Sequence, residues 1–378
     1  MVVPSQSTQD QERAQAVSFE TYQRDTLAAI ELRRAFQGTD RAAELAWNGP
    51  MEWRPPGIPR AGVLLVHGLG DSPWTFHDIG AVLAAHGYLA RTVLLPGHGT
   101  RPEDMLDVTL EDWRQVVAAQ TRALQDEVPA VFLGGFSTGA NLVVEHAYKN
   151  PDVDGLLLFS PAFKSDSSFD WLIPWVSWMR PWLVEPNGVQ SMQNAVRYMM
   201  VPTNGFAQFY RSSRQARRAI QGAPFDKPVF MVVAEHDSVL DTAYLAETFS
   251  ARFNSPASRL VWYGAAPRPA ASDPRILVSP DRMPELRISQ FSHMGVTFSP
   301  ENPLYGSKGS LRVCANGQSA KDTAVCESGE SVWLSEWGYR EEGKIHARLT
   351  YNPRFDWQTG IMVDVLESLQ NVSATAGE

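Results

Sequence analysis

One serine in this chain lies in a local setting that could make it a nucleophile: Gly135-Phe136-Ser137-Thr138-Gly139. The run Ala130-Val131-Phe132-Leu133-Gly134 before it reads as a strand, and Ala140 to Ala147 after it reads as a helix. Gly-x-Ser-x-Gly between a strand and a helix is a nucleophile elbow. The serine sits on a tight, strained turn, and the flanking glycines leave room for the backbones that crowd it. Such a turn holds the hydroxyl clear of the sheet and aims the next N–H, that of Thr138, at a reacting carbonyl. The chemistry predicted is acyl transfer through a serine.

A serine hydroxyl is a weak nucleophile near neutral pH, so it needs a base, and the base needs an acid to orient it. Behind an elbow these follow in the order acid, then base. Asp237 lies in Ala234-Glu235-His236-Asp237-Ser238, where the apolar strand Pro228 to Val233 ends, and open α/β sheets gather their working groups at that end of a strand. Asp241 is placed to cap the next helix, and Glu235 and His236 should point elsewhere. Of the histidines after Asp237, His293 follows the strand-like run Leu286 to Ser289, with Gly295 allowing a sharp loop. His346 stands among Glu341, Glu342, Lys344 and Arg348 and reads as a solvated or packing residue. The oxyanion needs two N–H donors. Thr138 supplies one and Leu69, in His67-Gly68-Leu69-Gly70, the other. His67 and His98, the latter in Pro96-Gly97-His98-Gly99, read as loop-shaping residues.

The elements around these residues alternate. Gly62–Val66, Ala90–Leu95, Val131–Gly134, Gly155–Phe159, Pro228–Val233 and Arg259–Tyr263 are short apolar strands. Between or after them, Phe76–His86, Leu110–Asp126 and Trp357–Leu369 are amphipathic helices. That rhythm predicts an α/β chain with a mostly parallel sheet covered on both faces. Residues 51–161 and 223–378 form the expected core, 17–50 a helical extension and 1–16 a disordered start. Residues 162–222 hold no clean strand and are expected to form a helical cap. The stretches 264–290 and 300–350 read as loop and hairpin insertions. In the cap, Trp171, Trp175, Trp178 and Trp182 fall on one helical stripe, which Pro174 and Pro181 divide. They either pack the cap down or line an acyl pocket, and both favour apolar substrates.

His67-Gly68, Pro96-Gly97-His98-Gly99, the elbow, Asp237 and His293 together resemble the α/β-hydrolase superfamily. Within it the chain resembles the bacterial carboxylesterases and monoacylglycerol lipases, grouped with serine aminopeptidase-like hydrolases. The resemblance covers about residues 50–300 plus the final helix. It implies the α/β-hydrolase fold with a helical cap, and hydrolysis of carboxylic esters of small molecules or lipids by Ser137, His293 and Asp237. No metal or organic cofactor is called for. The chain departs from that family in the long detour between Tyr263 and His293, which an added hairpin would explain. A peptidase or amidase on the same three residues is the alternative reading. A silent fold that binds a hydrophobic ligand is a further one.

Composition bounds the rest. With 44% hydrophobic and 20% charged residues the chain reads as an ordinary globule, and its net charge of −9 argues against nucleic-acid binding. The basic group Arg211, Arg214, Arg217 and Arg218 reads as a solvated helix face. No apolar run approaches a membrane span. The N-terminus lacks a signal-like apolar core, which predicts a cytoplasmic protein if Met1 is the native start and a periplasmic or secreted one if a leader was removed. Cys314 and Cys326 are either two thiols or a small disulfide loop, and the disulfide would favour an oxidising compartment.

Overall fold

The computed structural model describes residues 18–166, 174, 176–177, 180–186, 191–268 and 272–375. Eight strands form one sheet: β1 (Glu52–Trp53), β2 (Ala61–Val66), β3 (Tyr88–Val93), β4 (Val131–Phe136), β5 (Gly155–Phe159), β6 (Val229–Ala234), β7 (Arg259–Tyr263) and β8 (Ile276–Ser279). Their spatial order is β1-β3-β2-β4-β5-β6-β7-β8, with β1 antiparallel to β3 and every other pairing parallel. Strands β2, β4, β5 and β6 are buried along their whole length because helices cover both faces, so their sequences run apolar without alternation.

The period of two nevertheless sorts the two cores. Leu64, Val66, Leu133, Leu156, Leu158, Met231 and Val233 face one core with helices α4 (Leu110–Gln125), α5 (Thr138–Lys149), α6 (Thr203–Gly222) and α7 (Thr242–Arg252). Val63, Leu65, Phe132, Leu157, Phe159, Phe230 and Val232 face the other, with α3 (His77–Ala85) and α9 (Phe355–Thr375). Helix α4 begins on a capping box of Thr109 and Asp112, and α7 on Asp241, whose carboxylate accepts the Tyr244 N–H at 2.9 Å. This is the α/β-hydrolase arrangement that the motif set implied.

Several elements differ from the sequence expectation. The N-terminal extension is two helices, α1 (Phe19–Arg33) and α2 (Arg41–Asn48), joined where the buried Arg34 guanidinium meets Glu44 at 2.7 Å. The third strand starts at Tyr88 and ends at Val93, earlier than its apolar run. Helix α6, inside the segment expected as cap, buries Ala207, Ser212, Ala216 and Ile220 and packs on α5. It is the crossover that a parallel β5–β6 connection requires. Of the expected hairpin pieces, Ile276–Ser279 is the eighth strand of the sheet, paired in parallel with β7, and Ile288 makes only isolated bridges. The detour before His293 thus carries one more short strand of the sheet.

Residues 300–350 form a clasped insertion. Helix α8 (Ala320–Glu327) and the parallel pair β9 (Trp333–Ser335) and β10 (His346–Arg348) enclose a small core of Cys314, Cys326, Val332 and Ala347. Cys314 and Cys326 are joined as a disulfide, with Cα atoms 5.6 Å apart. Replacing both with Ser is expected to lower stability by about 3 kcal/mol, since so small a core leaves the loop entropy to the crosslink. Urea unfolding followed by tryptophan fluorescence checks this, and an unchanged midpoint would show that packing alone holds the loop. Among the described residues, no helix is long and apolar enough to cross a membrane.

Candidate active site

Strand β4 delivers Ser137 into a backbone conformation that few residues tolerate, with φ 52° and ψ −115°. The strain persists because the surroundings over-determine it. Its N–H donates to Phe159 O at 3.0 Å, and its carbonyl accepts from the N–H groups of Ala140 (3.1 Å) and Ala162 (3.2 Å). The glycines on either side answer to close approach. A methyl on Gly135 would lie 2.4 Å from the Ala140 nitrogen, and one on Gly139 would lie 2.0 Å from Val66 O. Any side chain at either position would push α5 off the sheet.

Thr138 is the first residue of α5, so its N–H has no helical partner to satisfy it, and α5 points its positive end at the same place. The loop after β2 is held by the two buried histidines. His67 donates from Nδ1 to Gly68 O at 2.8 Å and accepts the Leu95 N–H at Nε2 (3.1 Å). His98 accepts the Gly70 N–H at Nε2 (3.0 Å) and turns Nδ1 to Leu95 O and Pro96 O, both at 3.2 Å. Both rings therefore accept at Nε2 and are neutral. Burial drives their pKa values down, that of His67 well below the usual range and that of His98 to about 4. Their grip falls on Gly68 and Gly70, on either side of Leu69, whose N–H takes no partner among the described residues.

Asp237 and His293 meet across the sheet's end. Asp237 Oδ2 accepts from His293 Nδ1 at 2.6 Å, and Asp237 Oδ1 accepts the Val239 N–H at 2.9 Å. Both side chains are nearly buried, at 0% and 8% exposure. The His293 ring lies against Phe136, the residue before Ser137, with ring centres 5.0 Å apart. An imidazole held this way carries its proton at Nδ1 and leaves Nε2 as a base. The neighbouring alternatives lead elsewhere: Glu235 accepts the Ala265 N–H, His236 pairs with Asp281, and Asp241 caps α7 and pairs with Lys164. Of the two roles left open for His346, solvated or packing, the structure shows packing. The residue is 2% exposed on β10, edge-on to Tyr339, with Nε2 3.3 Å from Ser289 Oγ.

Of the tryptophan stripe, Trp171, Trp175 and Trp178 lie outside the described residues. Trp182 is half-buried in an irregular stretch. Arg211, Arg214 and Arg218 are exposed as expected, whereas Arg217 turns back to Phe163 O and Ser213.

Four residues near the site were missed by sequence reasoning. Ser160, at φ 41°, donates its buried hydroxyl to His293 O at 3.0 Å. Glu336 accepts the His293 N–H at 2.5 Å. Asp71 pairs with Arg197 at 3.2 Å beside the elbow. A methyl on Gly68 would lie 2.7 Å from Asp71 Oδ2 and 3.2 Å from Ser137 Cβ, which puts that carboxylate next to the serine. Burial raises the Asp71 pKa, while Arg197 and the nearby His293 pull it back. Positive φ at a serine after a strand and a carboxylate in a distant loop leave no local signature, so no motif could reveal them. The cavity between Asp71, Trp74, Phe136, Arg197, Met294 and Tyr305 is about 10 Å³, room for one water.

Comparison with known proteins gives the chain's family. The family model described as Serine aminopeptidase, S33 matches residues 57–266, a span that includes Ser137 and Asp237 and stops short of His293. Over 117 residues the chain is 34% identical to the thermostable monoacylglycerol lipase of Bacillus sp., covering 31% of this chain and 43% of that protein. An uncharacterized protein of Mycobacterium tuberculosis is 29% identical over 133 residues, 34% of this chain and 33% of its own length. The chain thus spans less than half the length of these curated relatives. A solved soluble variant of monoglyceride lipase from Saccharomyces cerevisiae aligns at 18% identity and a TM-score of 0.46, over 57% of this chain and 81% of that one. With more than half of its residues inside that family model, the chain belongs to the serine aminopeptidase family of α/β-hydrolases.

Proposed function

We propose that this protein hydrolyses carboxylic esters with apolar acyl groups through Ser137, His293 and Asp237. The observation that carries the reading is the buried 2.6 Å Asp237–His293 hydrogen bond set against the strained elbow at Ser137. In this mechanism Ser137 Oγ attacks the ester carbonyl while His293 Nε2 takes its proton. The tetrahedral oxyanion rests on the Leu69 and Thr138 N–H groups, each contributing roughly 3 kcal/mol to the transition state. His293 then protonates the departing alcohol, leaving an acyl-enzyme on Ser137. It next removes a proton from water, which attacks the acyl carbon and frees the acid and the serine. Asp237 keeps the imidazole in the Nδ1–H tautomer and stabilises its charged form. The partial relationship to a monoacylglycerol lipase favours a lipid ester as substrate.

Peptide or amide hydrolysis on the same residues is the second reading, and the family's description as serine aminopeptidase is what favours it. An amide leaves only after stronger protonation, and the carboxylate beside Ser137, that of Asp71, is already paired with Arg197 at 3.2 Å. The test combines a fluorophosphonate probe with matched substrates. The expected result is a covalent adduct mapped to Ser137, and turnover of a p-nitrophenyl acyl ester far above that of the matched p-nitroanilide. Anilide turnover equal to or above the ester's would give the activity to the amidase reading. No adduct at Ser137 would overturn both.

A further inference from the structure

Glu336 is a carboxylate that the mechanism above does not use, and it is almost completely buried, at 1% exposure. A buried charge persists only when donors and a counter-charge surround it. Its Oε2 accepts the backbone N–H of His293 at 2.5 Å. Its Oε1 accepts the Ser238 hydroxyl at 2.8 Å and the Trp337 N–H at 2.6 Å. Its counter-charge is Arg348, whose Nη1 lies 3.6 Å away. Ser238 directly follows Asp237 in the chain. One carboxylate therefore holds the loop of the base with one oxygen and the loop of the acid with the other.

The group that does this comes from the clasped insertion, not from the sheet. Glu336 directly follows β9, and Arg348 ends β10, which pairs with β9 in parallel. Asn316, two residues past Cys314, ties the two together: it donates to Glu336 O at 3.1 Å and accepts from Arg348 Nε at 2.9 Å. The other end of the His293 peptide is held by the Ser160 hydroxyl. His293 sits on a long loop after the edge strand β8, so its backbone gains little support from sheet hydrogen bonds. External clamping of its N–H is what that placement demands.

We infer that Glu336 is a positioning residue, which sets the Asp237–His293 geometry by gripping both loops at once. This rests on the triad reading above. Catalytic groups displaced by about 1 Å lose on the order of 100-fold in rate. Glu336→Gln removes the charge and turns one acceptor into a donor facing another donor. It is expected to lower kcat on a p-nitrophenyl ester by about 100-fold, with KM unchanged.

The double variant Glu336→Gln with Arg348→Met separates positioning from simple charge balance. A positioning role leaves the double variant as slow as the single one. Recovery of wild-type kcat would show that Glu336 only neutralises Arg348, and the proposal would fall. Ser238→Ala, at an exposed position, cuts the acid-side contact alone and keeps the question open to test should Glu336→Gln fail to fold. It is expected to lower kcat and leave KM unchanged, and full activity would count against the clamp. Ser137→Ala run in the same series keeps the two ideas apart. Activity lost there and kept in Glu336→Gln sinks only the clamp, whereas activity kept in Ser137→Ala sinks the triad reading itself.

Discussion

Ser137→Ala and Asp237→Asn are each expected to lower kcat on a p-nitrophenyl ester by about four orders of magnitude or more, with the fold intact. For Ser137 the reason is loss of the atom that forms the acyl-enzyme. For Asp237 it is the tautomer. Asparagine presents an amide N–H where the carboxylate now accepts from His293 Nδ1 at 2.6 Å, and the ring responds by moving its proton to Nε2. A ring protonated at Nε2 cannot take the serine's proton. Asp241→Asn is the control, because asparagine caps a helix as aspartate does and Asp241 lies at the start of α7, paired with Lys164. Its kcat is expected to match the wild type. Stopped assays with thermal melts on all three variants decide the matter. Loss of activity in Asp241→Asn with retention in Asp237→Asn would reverse the assignment of the acid.

Acid should weaken the fold before it titrates ordinary carboxylates, and the cause is the His67–His98 pair. The rings lie 4.8 Å apart, both buried and both accepting backbone N–H groups at Nε2. In the unfolded chain each titrates near 6.5, whereas in the fold His98 titrates near 4 and His67 well below 6.5. Below 6.5 the unfolded state binds protons that the folded state refuses. Stability is therefore full above pH 6.5 and falls as the pH drops towards 4. His98 alone accounts for roughly 2 kcal/mol lost by pH 5 and roughly 3 kcal/mol by pH 4, and His67 adds in the same direction. The half-buried His146 slopes the same way because burial lowers its pKa. The exposed His236 beside Asp281 opposes it weakly. Urea midpoints measured from pH 7.5 to 5 give the slope, and His98→Gln is expected to flatten it. A flat wild-type profile across that range would show that neither ring resists protonation. Because these rings hold Gly68 and Gly70 around Leu69, the same protonation should disorder the proposed oxyanion loop.

How much of this was legible depends on how local each signal is. The strand–elbow–helix unit at 130–147 is read from consecutive residues, because period, glycine spacing and burial on both faces all act over a few positions. The same holds for the strand that ends just before Asp237 and for the loop-shaping roles of His67 and His98. The parallel sheet followed from the alternation of apolar runs with amphipathic helices. Other features were not legible in the chain, for one shared reason. Ile276–Ser279 is a short, partly exposed edge strand, so its composition does not separate it from a hairpin arm. Helix α6 lies in the segment expected as cap, and nothing in its own residues says which layer it packs into. For His346 the sequence left a solvated and a packing role open, and pairing of β10 with β9 decided for packing.

Sequence alone determined which residue types could do the chemistry and the order in which they occur: Ser137, then Asp237, then His293. Order carries that information because Ser137 and Asp237 stand just beyond the carboxyl ends of β4 and β6, which local apolar periodicity marks, and His293 is a histidine further along the chain. Only the tertiary structure decided what holds the three in place. Ser160 lies 133 residues from His293, and Glu336 lies 43 residues from it. Contacts at such separations are set by how the sheet stacks its strands and by a disulfide-clasped insertion, and no periodicity in the chain encodes them.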